Sequence, residues 1–235
     1  NLPSPATPAN PSAFARVQLP PDRRAGLLGQ AGILTVTSYP NRTSPVLRGK
    51  FVLDKILGTP PPPPPPNIPS LAEHADGSAP TTLRSRLELH RSNPSCASCH
   101  ALIDPIGFAL EHYDSLGRRR ESDGGQPIDS AGRLTTGEAV NSPVSLSTVL
   151  ATARPDEFHR NFARTLLTYA LGRGLDYYDR PTIDKIVATA AARNHTLPAY
   201  IDAVVASIAF QNQRPDSPRA PAATTSGPVA FNLNN

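Results

Sequence analysis

Methionine and tryptophan are absent from this chain, and cysteine occurs only twice. Without methionine, no metal centre here can draw a thioether ligand from its own polypeptide. The two cysteines, Cys96 and Cys99, stand three positions apart. Neither has a distant partner, which argues against a disulfide-stapled scaffold. Long apolar runs are missing as well. A bilayer-spanning helix needs about 20 such residues, and the most hydrophobic stretch, residues 201–210, is half that length. Charge is sparse and nearly balanced, with 23 Lys and Arg against 19 Asp and Glu for a net of +4, and the arginines are dispersed. No basic tract is interleaved with aromatics, so the sequence gives no ground for nucleic-acid recognition. No internal repeat of fixed period is present.

Proline, by contrast, is abundant, and its 28 copies cluster. Residues 1–21 open Asn-Leu-Pro-Ser-Pro-Ala-Thr-Pro and have too little apolar area to offset the entropy of ordering, so they read as an extended arm. Residues 214–235 have the same character and read as an extended tail. Residues 60–66 are seven consecutive prolines, a stiff polyproline II rod that acts as a spacer or as a ligand for an aromatic-lined groove. About 180 residues remain for compact structure. The chain starts at Asn1 without a secretory apolar segment. The expectation is a portion of a longer exported polypeptide, whose N-terminal part is then a candidate partner.

The pattern between the arms is mainly α. Residues 25–39 close on a β-branched run and fit a short buried strand or loop. Ser44-Pro45 opens an amphipathic helix that Gly58 stops. Residues 82–91 form a second helix with Leu83, Leu87 and His90 on one face. Asn93-Pro94 starts a helix through the cysteines, and Asp104-Pro105 starts another over 106–113. Residues 118–138 are rich in turns, with room for a small hairpin. Three helices follow, over 156–171, 181–193 and 198–210. Their apolar stripes are Phe158, Phe162, Leu166 and Tyr169; Ile183, Ile186, Val187 and Ala190; and Ile201, Val204, Val205 and Ile208. The expected organisation is a cofactor-binding helical domain over 22–140, including the proline rod, and a small helical bundle over 141–213 packed on it.

The chemistry lies in Cys96-Ala97-Ser98-Cys99-His100, the C-x-x-C-H pattern of covalent haem c attachment. Thiols three residues apart on a helical turn can form thioethers with both vinyl groups of one porphyrin, and the adjoining His100 is aimed at the iron. A thioredoxin-like pair needs a strand-to-helix setting that this pattern lacks, and a zinc site needs two further ligands at regular spacing. Two inert buried thiols are the remaining reading. Taken as a haem c protein, the chain carries one covalent haem outside the cytoplasm, in the periplasm or extracellularly.

With methionine absent, the sixth iron position falls to a histidine, a weaker donor, another chain, water, or nothing. His90 is the first candidate because it shares a face with Leu83 and Leu87. A hydrogen-bonded core histidine is the competing reading. His112, beside Leu110 and Tyr113, comes second; His159 and His195 follow, and His74 is expected to be exposed. Arg91, Arg118 and Arg173 are candidates for the haem propionates. Three functions fit: electron transfer with redox protein partners or other haem-bearing chains, a peroxidase- or oxidase-like enzyme with an open distal site, or a docking subunit of a redox assembly.

Several segments together resemble a known arrangement. They are Tyr39-Pro40-Asn41-Arg42-Thr43-Ser44-Pro45-Val46-Leu47-Arg48-Gly49-Lys50, the proline run, the residues from His90 to His100, and Asp104-Pro105-Ile106-Gly107-Phe108-Ala109-Leu110-Glu111. These are similar to an uncharacterised domain of large planctomycete-type cytochrome c-like exported proteins. Residues 165–180, with Leu-Leu-Thr-Tyr-Ala-Leu-Gly-Arg-Gly, and the end near Phe210-Gln211 resemble the domain that usually follows it. The resemblance covers about 25–214 and implies a C-terminal haem module of a longer protein with a redox role. Relatives often carry methionine near the positions of Leu102 or Asn212, and this chain does not.

Overall fold

In the computed structural model of the chain, residues 20, 26–63, 82–92 and 94–212 are described. The arm apart from Pro20, the tail, Pro64 to Pro66, His74 and the Asn93 cap lie outside them. The described residues are mainly helical, with four very short strands. They divide into two compact units at Thr165 and Leu166, inside one long helix.

In the first unit, a 3-10 turn over Gly26–Gly29 leads into α1, Ala31–Val36. A strand or loop was the expectation for this stretch, and the structure replaces it with helix. Strand propensity is a context effect, and here Leu28 and Leu34 are buried in the core. The α1 C-terminus is closed by the hydroxyls of Thr37 and Ser38, which donate to Ile33 O and Leu34 O at 2.7 and 2.8 Å.

Helix α2, Pro45–Phe51, starts as its sequence demands: the Leu47 N–H donates to Ser44 Oγ at 3.2 Å, with Pro45 at the first helical position. It widens into one π turn over Val52–Ile56 before Gly58, at φ +70°, ends it. Late carbonyls there are satisfied from afar, since Asn161 Nδ2 donates to Lys55 O and Ile56 O at 2.7 and 3.1 Å.

After α3, Leu83–Arg91, comes α4, Pro94–Phe108. The expected break at Asp104-Pro105 does not occur; the helix runs through Pro105. An interior proline costs about 3 kcal/mol, and packing against α2 offsets it. A Cβ on Gly49 would lie 2.1 Å from Ile103 O, and one on Gly107 would lie 2.0 Å from Pro45 O. The two helices therefore meet backbone to backbone on both sides of the proline, a contact only glycine permits.

Two antiparallel ladders follow: β1, Ser122–Asp123, with β2, Gln126–Pro127, and β3, Gly132–Arg133, with β4, Ala139–Val140. The first turns through Gly124 and Gly125, both at positive φ, as a two-residue hairpin requires. Helix α5, Pro143–Ala153, opens on a Ser142–Ser145 capping box. The core of this unit joins Leu34, Val52, Leu53, Ile103, Ile106, Leu110, Tyr113, Val140 and Leu146, and a smaller cluster joins Leu83, Leu87 and Phe108.

Helix α6, Pro155–Leu171, carries the division into the second unit, which contains α7, Arg180–Ala191, α8, Leu197–Val205, and α9, Ile208–Gln211. On α7 the buried residues are Ile183, Ile186 and Ala190, as the pattern indicates. On α8 they are Ala199, Tyr200 and Val204, while Ile201, Val205 and Ile208 are exposed. The stripe assigned to 198–210 therefore holds only at Val204, and the helix ends at Val205 and restarts after the Ser207 cap. On α6, similarly, Ala163 and Leu167 are buried and Tyr169 is exposed.

Among the described residues no helix is long and apolar enough to cross a membrane.

Candidate functional site

Helix α4 places Cys96 and Cys99 one turn apart, and both are free, half-buried thiols. Cys99 packs against the main core. Leu102 and Ile106, three and seven positions on, share its face. With Leu53, Leu134 and Pro60 to Pro62 they line a cleft of about 360 Å³. The first prolines of the rod therefore line the same cleft as Leu102 and Ile106, together with Thr59, Thr135, Thr136, Arg154 and Glu157.

His100 follows the second cysteine and turns its Nδ1 to Asp104 Oδ1 at 2.9 Å. The i,i+4 spacing puts the two side chains on one face. Asp104 has no solvent exposure, and among the described residues its Oδ2 has no hydrogen-bond partner. The nearest cation is Arg91 Nε, 3.6 Å from that oxygen. With Nδ1 facing a carboxylate oxygen, Nε2 is the nitrogen left for a metal. The sequence signal at Asp104 reads as a helix cap; in the fold it holds the imidazole instead.

The last turn of α3 brings His90 against His100, ring centroids 5.1 Å apart in an edge-to-face arrangement. Arg91, next to it, reaches Glu88 as well as Asp104. The cysteines, His100, His90 and Arg91 are thus placed on two neighbouring helices. Among the described residues no group of three or more His, Cys, Asp or Glu could hold a metal ion by side chains alone. A porphyrin supplies its iron with four nitrogens of its own, so one or two protein donors suffice for it.

The other candidates have different engagements. Arg118 is mostly exposed and pairs with Asp114 at 2.8 Å. His112 Nδ1 approaches Arg120 O at 3.3 Å, and His159 stacks edge-on with Phe158. In the second unit, Arg173 grips Asp179 with two bonds of 2.7 and 2.9 Å, and His195 Nδ1 meets the Tyr200 hydroxyl at 2.8 Å.

One cluster that sequence reasoning missed fixes the segment leaving α4. Arg48, fully buried on α2, donates to Leu110 O, Tyr113 O and Asp114 O at 2.8 to 2.9 Å and to Glu111 Oε1 at 2.8 Å. Glu111 Oε2 also accepts from Thr43 Oγ1 and Arg120 Nη2 at 2.6 and 2.7 Å. Burial pushes the Glu111 carboxyl up, with Arg48, Thr43 and Arg120 pulling against it. Only the arginine's place on an otherwise apolar helix face hints at this in the sequence.

Residues 24–123 match a family model described as a protein of unknown function (DUF1588), and residues 136–210 match a second, described as a protein of unknown function (DUF1585). The chain is thus similar to both of these domain families. No curated protein and no solved structure matches it.

Proposed function

We propose that this chain is a c-type cytochrome module that carries one covalent haem and transfers electrons outside the cytoplasm, within a larger multi-haem protein or complex. The observation that carries the reading is the state of His100. Its Nδ1 is committed to a buried carboxylate, which leaves Nε2 as a donor beside two free thiols on the preceding turn. Cys96 and Cys99 would hold the porphyrin by thioethers, and His100 would ligate its iron. The haem, when bound, supplies a one-electron couple.

The chain's own residues do the rest. The α4 backbone fixes the spacing of the thiols and the histidine. Leu102, Ile106 and Leu134 offer apolar surface to a cleft that Thr59, Thr135, Thr136, Arg154 and Glu157 also line. His90 would be the second protein donor to the iron; its ring lies 5.1 Å from that of His100. Arg91 is the proposed propionate partner; Arg118, already paired with Asp114, is the weaker one.

The test is maturation of the full chain in a host that attaches haem c. The purified protein should gain the mass of one haem and keep it after denaturation, and Cys96→Ala with Cys99→Ala should abolish the gain. A wild-type chain that carries no covalent haem after such expression overturns the proposal. Carbon monoxide then separates relay from open-site chemistry. An unchanged ferrous spectrum fits a saturated iron, and rapid binding fits an enzyme with a vacant position. His90→Ala should convert a saturated iron to high spin.

A further inference from the structure

Buried carboxylates usually serve helix caps or ion pairs. Asp104 does neither in full. It sits inside α4, so it caps nothing, and among the described residues its one hydrogen bond is that from His100 Nδ1. Its second oxygen is buried with Arg91 Nε at 3.6 Å, too far for a hydrogen bond. A buried carboxyl group with one close ring nitrogen holds that ring in place. The ring here is the imidazole that follows the cysteine pair.

We propose that Asp104 is the positioning residue for His100: it fixes the tautomer, orients the ring and enriches Nε2, so that iron bound there favours the ferric state and has a low reduction potential. This rests on the haem reading above. A metal-bound histidine whose other nitrogen donates to a carboxylate is a more basic ligand than one bonded to a carbonyl. A more basic ligand stabilises the higher charge on the metal. Arg91 moderates the effect, because its guanidinium draws on the same carboxylate from the other side. The module is therefore set as a low-potential centre, with Arg91 adjusting it.

The experiment uses the full chain with haem attached, labelled with nitrogen-15 at histidine. It reads the midpoint potential and the Nδ1 resonance of His100 in the ferrous state. Asp104→Asn should raise the potential and shift the resonance toward that of a carbonyl-bonded imidazole, and Asp104→Glu should partly restore both. Arg91→Gln, at a half-exposed side chain that folding tolerates, should lower the potential and shift the resonance the opposite way. That shift should shrink when Asp104→Asn is also present, since both act through one group. If Asp104→Asn does not mature, Asp104→Glu decides, through the Nδ1 resonance of His100. A haem-loaded protein whose His100 resonance ignores these substitutions overturns the inference while leaving haem attachment intact. A wild-type chain without haem overturns the proposed function and this inference together.

Discussion

Arg48 and Glu111 set the residue-scale stakes, because two opposite charges have been taken out of water to fasten the chain leaving α4. Such a pair is worth little against an apolar substitute for both partners, but losing Arg48 takes the guanidinium from three carbonyls and leaves Glu111 with Arg120 and Thr43 on one oxygen alone. Arg48→Met should therefore cost about 3 to 5 kcal/mol, read as a lower urea midpoint at unchanged slope; a loss under about 1 kcal/mol would mean that Glu111 and the three carbonyls find water. Asp114 gives the pH counterpart. Burial acts to raise its carboxyl, but the Arg118 and Leu116 N–H groups and the Arg118 guanidinium outweigh it, and the group is held below its ordinary value. A depressed folded-state value means that the contribution is fully present above the unfolded value of about 3.9 and is lost as pH falls through the folded one. Asp114→Asn should flatten the stability profile below about pH 4, and thermal melts across that range check it. An equally steep acid limb in the variant assigns the limb to other carboxylates.

At the scale of elements, the join of α2 and α4 is the feature on which the site depends, since α4 carries the cysteines, His100 and Asp104. Gly107→Ala places a methyl 2.0 Å from the Pro45 carbonyl oxygen, so the helices must separate. The expected loss is about 3 kcal/mol or more, at the upper end for overpacking. Haem retention should fall with it, because α3 and its His90 pack on the same helix. Circular dichroism melts together with haem content check this, and a variant as stable as wild type would show that the join has slack. Such a join explains what the sequence could and could not convey. Ser44-Pro45 announced a helix start by local chemistry, and that start is where expected. Asp104-Pro105 announced an end just as clearly, yet the helix continues, because the stabilising contacts come from Pro45 and Gly49, more than fifty positions away. Helix α5 carries the same Ser-Pro opening at Ser142 as α2 does at Ser44, a signal obscured by the turn-rich residues before it. The cysteine pair and His100 were legible because their chemistry is contiguous. Asp104 as the partner of His100 was not, because its sequence signal belonged to capping.

At the scale of the whole molecule, the chain divides into two compact units. Every residue proposed to hold or tune the haem lies before Thr165, while the second unit has its own buried set, Leu167, Ile183, Ile186, Ala190, Ala199, Tyr200 and Val204. Burial there is sparse for its length, and the exposed Tyr169, Tyr177, Ile201 and Ile208 leave little to stabilise it beyond this set. Ile186→Ala should therefore cost about 2 to 5 kcal/mol, drawn from the cooperative unit to which the residue belongs. Calorimetry of the haem-loaded chain should show one transition moving down and another, tracked by the haem absorbance, staying in place. If the absorbance transition moves by the same amount, the two units unfold as one, and the electron-transfer module extends over both matched domains rather than the first alone.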